Sequence, residues 1–253
     1  MNIAIVTGAS SGMGAEFARQ IGNAGEKLDE LWVLARNKKA LEDLQSHTKI
    51  PLRIFALNLT KKESLKQMQE TLEQETPCVK YLIHAAGCGV NQKTEEIAPE
   101  DCSRMLEINC SALTLLTRTV LPYCQSGSRI LMMASAAAFL PQAGFAIYAA
   151  SKAYVVSFSR ALRMEVRKKG ITVTIVCPGP VDTAFLDSIG GKENIPAIKR
   201  PFIAKPEQVV SYALQCAKKG KELSIYGFSM KCFFILCKIV PHGVLLKAVD
   251  IIS

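Results

Sequence analysis

Six short runs rich in β-branched and aliphatic residues recur along the chain, at 2–7, 31–35, 52–57, 80–85, 129–134 and 171–177. Longer stretches with helical spacing of their apolar residues lie between them, among these 14–24, 61–75, 100–121 and 146–169. Runs that scarcely alternate apolar with polar residues are strands buried on both faces. Their alternation with helices implies parallel βαβ units. The expected architecture is therefore α/β, a doubly wound parallel sheet. At 253 residues, with no internal repeat and no low-complexity linker, the chain is expected to form a single domain over 1–253.

Two segments break the alternation. Residues 184–205 (AFLDSIGGKENIPAIKRPFIAK) set Gly190, Gly191, Pro196 and Pro201 among Phe185, Leu186, Ile189, Ile195 and Phe202. That is too long and too apolar for an ordinary connection, and a lid over an apolar substrate is expected. Residues 228–253 form an apolar tail interrupted by Lys231, Lys238, Pro241 and Lys247, with no run of the ~20 residues that a spanning helix needs. The tail fits three roles: closing the substrate pocket, covering a neighbouring subunit, or peripheral membrane contact with its lysines at the headgroups.

The hydrophobic fraction of 49% beside 21% charged residues excludes a disordered chain and supports a sizeable core. Nine cysteines form no CxxC pair and no metal-like spacing with histidine, so they read as reduced thiols, with no metal site expected. Met1 and Asn2 run straight into the first strand, which leaves no room for a signal peptide, and a cytoplasmic protein is expected. The formal net charge is +9, and residues 192–253 carry ten Lys/Arg against four Asp/Glu. Such a basic end can meet an anionic substrate tail or a membrane surface, or simply be a solvated lysine-rich surface. No basic stripe interleaved with aromatics appears, so nucleic acid is not an expected partner.

The first strand leads into TGASSGMG at residues 7–14, and an apolar-periodic helix follows. A glycine loop between strand and helix lets the backbone approach a pyrophosphate, while the helix N-terminus offers free N–H groups and a positive dipole end. The second strand ends in Ala35, Arg36 and Asn37 with no carboxylate. A carboxylate there would bind the ribose 2′-hydroxyl of NAD(H). Arg36 instead suits the 2′-phosphate, which favours NADP(H) over NAD(H).

Far downstream lie Ser135, at the end of the fifth strand, and Tyr148 and Lys152, spaced i and i+4 on a helix so that their side chains share a face. A free phenol has a pKa near ~10, and a nearby cation brings it toward the working range of an acid–base group.

Loop, spacing and order together resemble the short-chain dehydrogenase/reductase superfamily, the single-domain Rossmann-type group with a TGxxxGxG cofactor loop and a YxxxK site. The resemblance covers about residues 3–183. It implies cofactor contacts from Gly8, Ser10, Ser11, Gly12, Met13 and Gly14, and from Asn58 and Leu59, where the family usually has Asp-Val. His84, Ala85, Ala86 and Gly87 match an NNAG-type turn, with Ala86 and Gly87 near the cofactor and His84 replacing an asparagine that braces the sheet. Pro178, Gly179, Val181 and Thr183 match the PG motif, whose threonine holds the nicotinamide carboxamide.

The implied reaction interconverts a ketone and a secondary alcohol by hydride transfer. Ser135 would bind the substrate oxygen and Tyr148 would exchange its proton. Lys152 would bind the nicotinamide ribose and lower the tyrosine pKa, and Asn109 would hold a water beside Lys152. Apolar residues at 136–141 and in the lid point to a bulky lipophilic small molecule such as a steroid. A 3-oxoacyl thioester of fatty-acid metabolism is the alternative substrate, and a non-catalytic dinucleotide sensor the alternative role. The family's habit implies a homodimer or homotetramer.

Overall fold

Strand β1 (Asn2–Thr7) is apolar on both faces, which suits it to the centre of a sheet covered on both sides. Ile3 and Ile5 enter one core and Ala4 and Val6 the other. The computed structural model describes residues 1–191 and 203–252, with residues 248–252 described by backbone alone. Strands β2 (Glu30–Ala35), β3 (Leu52–Ala56), β4 (Cys78–His84), β5 (Cys124–Met133), β6 (Thr172–Val176) and β7 (Leu223–Ser224) complete the sheet. The order is β3-β2-β1-β4-β5-β6-β7, and every pairing is parallel.

Helices α1 (Gly12–Asn23) and α2 (Lys38–Leu44) pack on one face, joined later in the chain by α8 (Pro206–Lys218). Phe17, Ile21, Leu41, Val210 and Leu214 share that core with Leu31 and Val33. The opposite face is covered by α3 (Lys62–Glu75), α5 (Leu113–Val120) and α6 (Ala146–Val166), through Met68, Leu72, Leu116, Val155 and Leu162. Each such side chain contributes roughly 1.5–3 kcal/mol by leaving water. The expected α/β Rossmann-type doubly wound sheet is the fold observed.

All six expected strands are present, and the differences are local. Strand β5 starts at Cys124, ahead of the expected 129, because the polar and exposed Gln125, Ser126 and Gly127 hide its beginning. Its pairing with β4 jumps from Val79–Cys124 to Tyr81–Arg129. Strand β7 has two residues, too few to carry a pattern. The expected helix over 100–121 is split into α4 (Pro99–Leu106), a π-helical turn (Glu107–Ala112) and α5.

In the expected lid, α7 (Ala184–Ser188) is followed by Gly190 and Gly191, and Ala204 pairs with Val181. Residues 192–202, with Ile195, Pro196, Pro201 and Phe202, lie outside the described residues. The tail folds into α9 (Phe228–Ile239) and α10 (His242–Ile252). No helix among the described residues is long and apolar enough to cross a membrane.

His84 closes β4 between Thr7 of β1 and Met132 of β5, and it is 2% exposed. Thr117 Oγ1 donates its one hydrogen to the Leu113 carbonyl at 2.7 Å. The 2.9 Å contact with His84 therefore assigns the imidazole proton to Nε2, which donates to Thr117. Burial pushes the His84 pKa down to about 3, so the ring is neutral in the fold. In the unfolded chain it takes up a proton below about pH 6.5. The unfolded state then binds more protons, so the stability that His84 contributes is intact above about pH 6.5 and lost as pH falls toward 3. Wild-type Tm should fall by roughly 5 °C more than that of His84→Asn between pH 7.5 and 5, followed by circular dichroism. Parallel profiles would mean that the ring is charged in the fold.

Candidate active site

The ends of β1 and β4 meet at the point where the strand order reverses, the place where open α/β sheets bind ligands. Thr7 Oγ1 accepts from Ala85 N at 3.1 Å and Ala86 N at 3.0 Å, tying the two loops together. Gly8 has φ +67°, and a Cβ there would stand 2.8 Å from Ala86 Cα and N. At Gly14 a Cβ would be driven into the Gly8 carbonyl oxygen. Gly12 has φ +53° and packs against Thr183. Helix α1 starts here with Ser11 as N-cap, but the serine side chain caps nothing and the first turn holds no acidic residue. Its first N–H groups are left for an anion, so this cradle fits a pyrophosphate.

The adenosine end is marked by Arg36, which is exposed on the cleft wall and makes no ion pair among the described residues. Asn58 and Leu59 lie on the same wall. Asn58 Oδ1 accepts from Thr60 N at 3.2 Å and from Thr60 Oγ1 at 3.0 Å. A backbone N–H can only donate, so this orientation of the amide is fixed and its NH2 is the group left for a base.

Ser135, Tyr148 and Lys152 converge on the cleft. Ser135 begins a 3₁₀ turn just after β5, with Oγ accepting from Ala137 N at 3.2 Å. Tyr148 is 6% exposed and lies between Phe145 and Phe185, with ring centroids at 4.4 Å and 5.5 Å. Lys152 Nζ donates to the Met133 carbonyl at 3.0 Å and sits 5.6 Å from the Tyr148 ring centroid. Burial pushes the tyrosine up to about 12, opposed by its hydrogen bond with Ser135. Burial likewise pushes Lys152 down to about 8. Burial sets the direction at Tyr148 in this structure, where the Lys152 ammonium is directed at a carbonyl instead of the phenol oxygen.

Asn109 belongs to the π-helical turn and is 1% exposed, behind the cleft wall. Its Oδ1 accepts from Cys88 N at 3.0 Å, and its Nδ2 donates to Cys88 O and Ser151 Oγ, both at 2.9 Å. With both amide hydrogens used, it fixes the loop after β4, and a water beside Lys152 would need another group of Asn109. Gly87 allows this packing, since a Cβ there would stand 2.9 Å from Asn109 Oδ1 and 3.3 Å from Lys152 Nζ.

The remaining expected positions, Ser10, Met13, Ala86, Pro178, Gly179 and Val181, also line the cleft of about 1920 Å³. The tail, for which closing the substrate pocket was one of the expected roles, contributes Met230, Phe233, His242 and Leu246 to the lining. Nothing in their local pattern separates cleft from core. Phe145, the residue that precedes α6 and stacks on Tyr148, was also missed. Arg104 lines the opening, paired with Asp101 at 2.8 Å. Cys88 sits near them, its thiol pKa raised by burial.

The family model described as short chain dehydrogenase matches residues 2–194. An uncharacterized oxidoreductase of Staphylococcus epidermidis is 27% identical over 187 residues, covering 73% of this chain and 80% of the relative. A short-chain dehydrogenase from Sphingobium yanoikuyae, solved in complex with NADPH, superposes with a TM-score of 0.81 at 23% identity, covering 99% of this chain and 96% of that one. The bulky-bulky ketone specific alcohol dehydrogenase of Comamonas testosteroni gives a TM-score of 0.75 at 23% identity, covering 98% and 94%.

The cradle rests on contact between Gly14 and Gly8, so Gly14→Ala must open it. Overpacking of this kind costs about 2 kcal/mol, and thermal unfolding should drop by roughly 5 °C. Gly243→Ala, in α10 with nothing within 4 Å of the added Cβ, should leave Tm unlowered. Equal Tm values for both variants would remove the steric argument.

Proposed function

Because the chain belongs to the short-chain dehydrogenase family, matched over residues 2–194, and is an oxidoreductase of that family, we propose that it reduces a bulky apolar ketone with NADP(H). The observation that carries this reading is the convergence of Ser135, Tyr148 and Lys152 beside an uncapped helix N-terminus at one cleft. A protein that merely senses the dinucleotide needs the second of these but not the first.

A bound reduced nicotinamide supplies hydride to the carbonyl carbon. Ser135 Oγ holds the carbonyl oxygen, and Tyr148 donates its phenolic proton to that oxygen as negative charge develops there. Burial keeps the Tyr148 phenol protonated at neutral pH, so the group holds the proton that the carbonyl oxygen takes up. Lys152 holds the ribose, Thr183 the carboxamide and the α1 N-terminus the pyrophosphate, while Arg36 takes the 2′-phosphate. Asn109 acts as a positioning residue through Cys88 and Ser151.

The apolar walls, Phe145 and Phe185 beside Tyr148 and Met230 and Phe233 from the tail, favour a bulky lipophilic ketone, of which a steroid is one class. Arg104, the cation at the opening, is already engaged by Asp101, which weighs against the anionic carrier of a 3-oxoacyl thioester.

Oxidation of NADPH and NADH is to be followed across ketosteroids, 3-oxoacyl thioesters and small ketones. Tyr148→Phe should lower kcat at least about 10²-fold with NADPH affinity unchanged by fluorescence titration. Wild-type turnover in that variant would end the assignment. Arg36→Asp should lower kcat/KM for NADPH roughly tenfold or more while leaving NADH no worse, because it loses a charged hydrogen bond to the 2′-phosphate. An unchanged cofactor ratio would place that phosphate elsewhere.

A further inference from the structure

Helix α9 is apolar on both of its sides. Its inner side, Met230, Phe233, Phe234 and Cys237, packs on the core, with the Phe234 ring 4.9 Å from that of Phe139. Its outer side carries Phe228 at 83% exposure, Ile235 at 52% and Ile239 at 75%. Positions 228, 235 and 239 are spaced i, i+7 and i+11, so they form one stripe along the helix. Val244, at the start of α10, is 58% exposed. A helix apolar on its outer as well as its inner side has a second apolar surface to cover.

The charge around the stripe identifies that medium. Lys231 and Lys238, seven residues apart, form a row on one border of the stripe, and the exposed Lys247 adds a third charge on α10. Lys231 Nζ lies 5.2 Å from the Tyr212 ring centroid and Lys238 Nζ 5.2 Å from that of Phe234, so the two ammonium groups face aromatic rings. From residue 223 to 249 the sequence has no Asp or Glu. A second copy of the chain docked through this face would bring lysine rows together without a carboxylate to meet them. An anionic headgroup layer supplies both the missing negative charge and the apolar medium beneath it.

We propose that the outer face of α9 and the start of α10 dock the protein on an anionic lipid surface, lying in the interface. The inner side of the same helices forms part of the cleft wall, through Met230, Phe233 and Leu246. An apolar ketone dissolved in the bilayer is thereby brought next to the cleft. This delivery step rests on the ketone-reductase reading, whereas the docking itself does not.

The test is co-sedimentation of the full chain with vesicles of phosphatidylcholine alone or with one third phosphatidylserine, without cofactor or substrate. Binding to the anionic vesicles should exceed binding to the neutral ones at least about tenfold and weaken with salt. Lys231→Gln with Lys238→Gln should reduce it roughly tenfold or more. Ile235→Ser with Ile239→Ser should reduce it while leaving Tm and NADPH-dependent turnover of a water-soluble ketone at wild-type values. No binding to anionic vesicles at low salt overturns the proposal, as does binding indifferent to both double variants. A dimer that the Ile235→Ser, Ile239→Ser variant splits, with no vesicle binding, would assign the face to a second copy. Vesicle binding without turnover of any ketone would uphold docking and reject the proposed activity.

Discussion

The site depends on one close approach, the backbone of Gly8 against that of Ala86. A side chain at Gly8 would separate the ends of β1 and β4, and with them the two loops that form the crevice. Thr7 makes the approach favourable by accepting from two backbone N–H groups, at Ala85 and Ala86, that burial would otherwise leave short of partners. Gly14 lies over the Gly8 carbonyl and sets the direction of α1, whose free N–H groups are aimed at the same crevice. Sheet order, loop chemistry and helix dipole thus act at one point.

Around that point the structure holds ionisable groups away from their ordinary states. Tyr148 and Lys152 both have their charged forms disfavoured by burial, and each is fixed by packing: the phenol between two aromatic rings, the ammonium on the Met133 carbonyl. Such groups persist because the fold around them is already determined by the cores on both faces of the sheet. His84 follows the same logic without chemistry. A neutral imidazole donating to Thr117 joins β4 to α5 beneath the site, at the cost of sensitivity to acid.

Much of this was legible in the sequence, for identifiable reasons. Doubly covered parallel strands write themselves as unbroken apolar runs, so β1 and β2 stood out, whereas the polar start of β5 and the two-residue β7 carried no such signal. The glycine loop and the Tyr148–Lys152 spacing were readable because each is a local geometric requirement. The orientation of the Asn58 amide was not, since it follows from Thr60 two residues on. Nor was the burial of Tyr148, whose ring lies between those of Phe145 and Phe185. That the tail could close the pocket was one of three roles open to it, but which of its residues reach the cleft required knowing where α9 lands, since periodicity records only which faces are apolar.

The basic excess also changes meaning once it has a location. Composition gave a net charge of +9 that a solvated surface would explain equally well. In the fold, Lys218 is neutralised by Glu26 at 2.8 Å and Arg160 by Glu222 at 2.9 Å. Lys231 and Lys238 have no carboxylate partner among the described residues and stand over aromatic rings beside exposed apolar side chains. Unbalanced charge and unburied apolar surface therefore coincide on α9. Two features that each weaken a free surface of the protein become complementary when the opposing phase is both anionic and apolar.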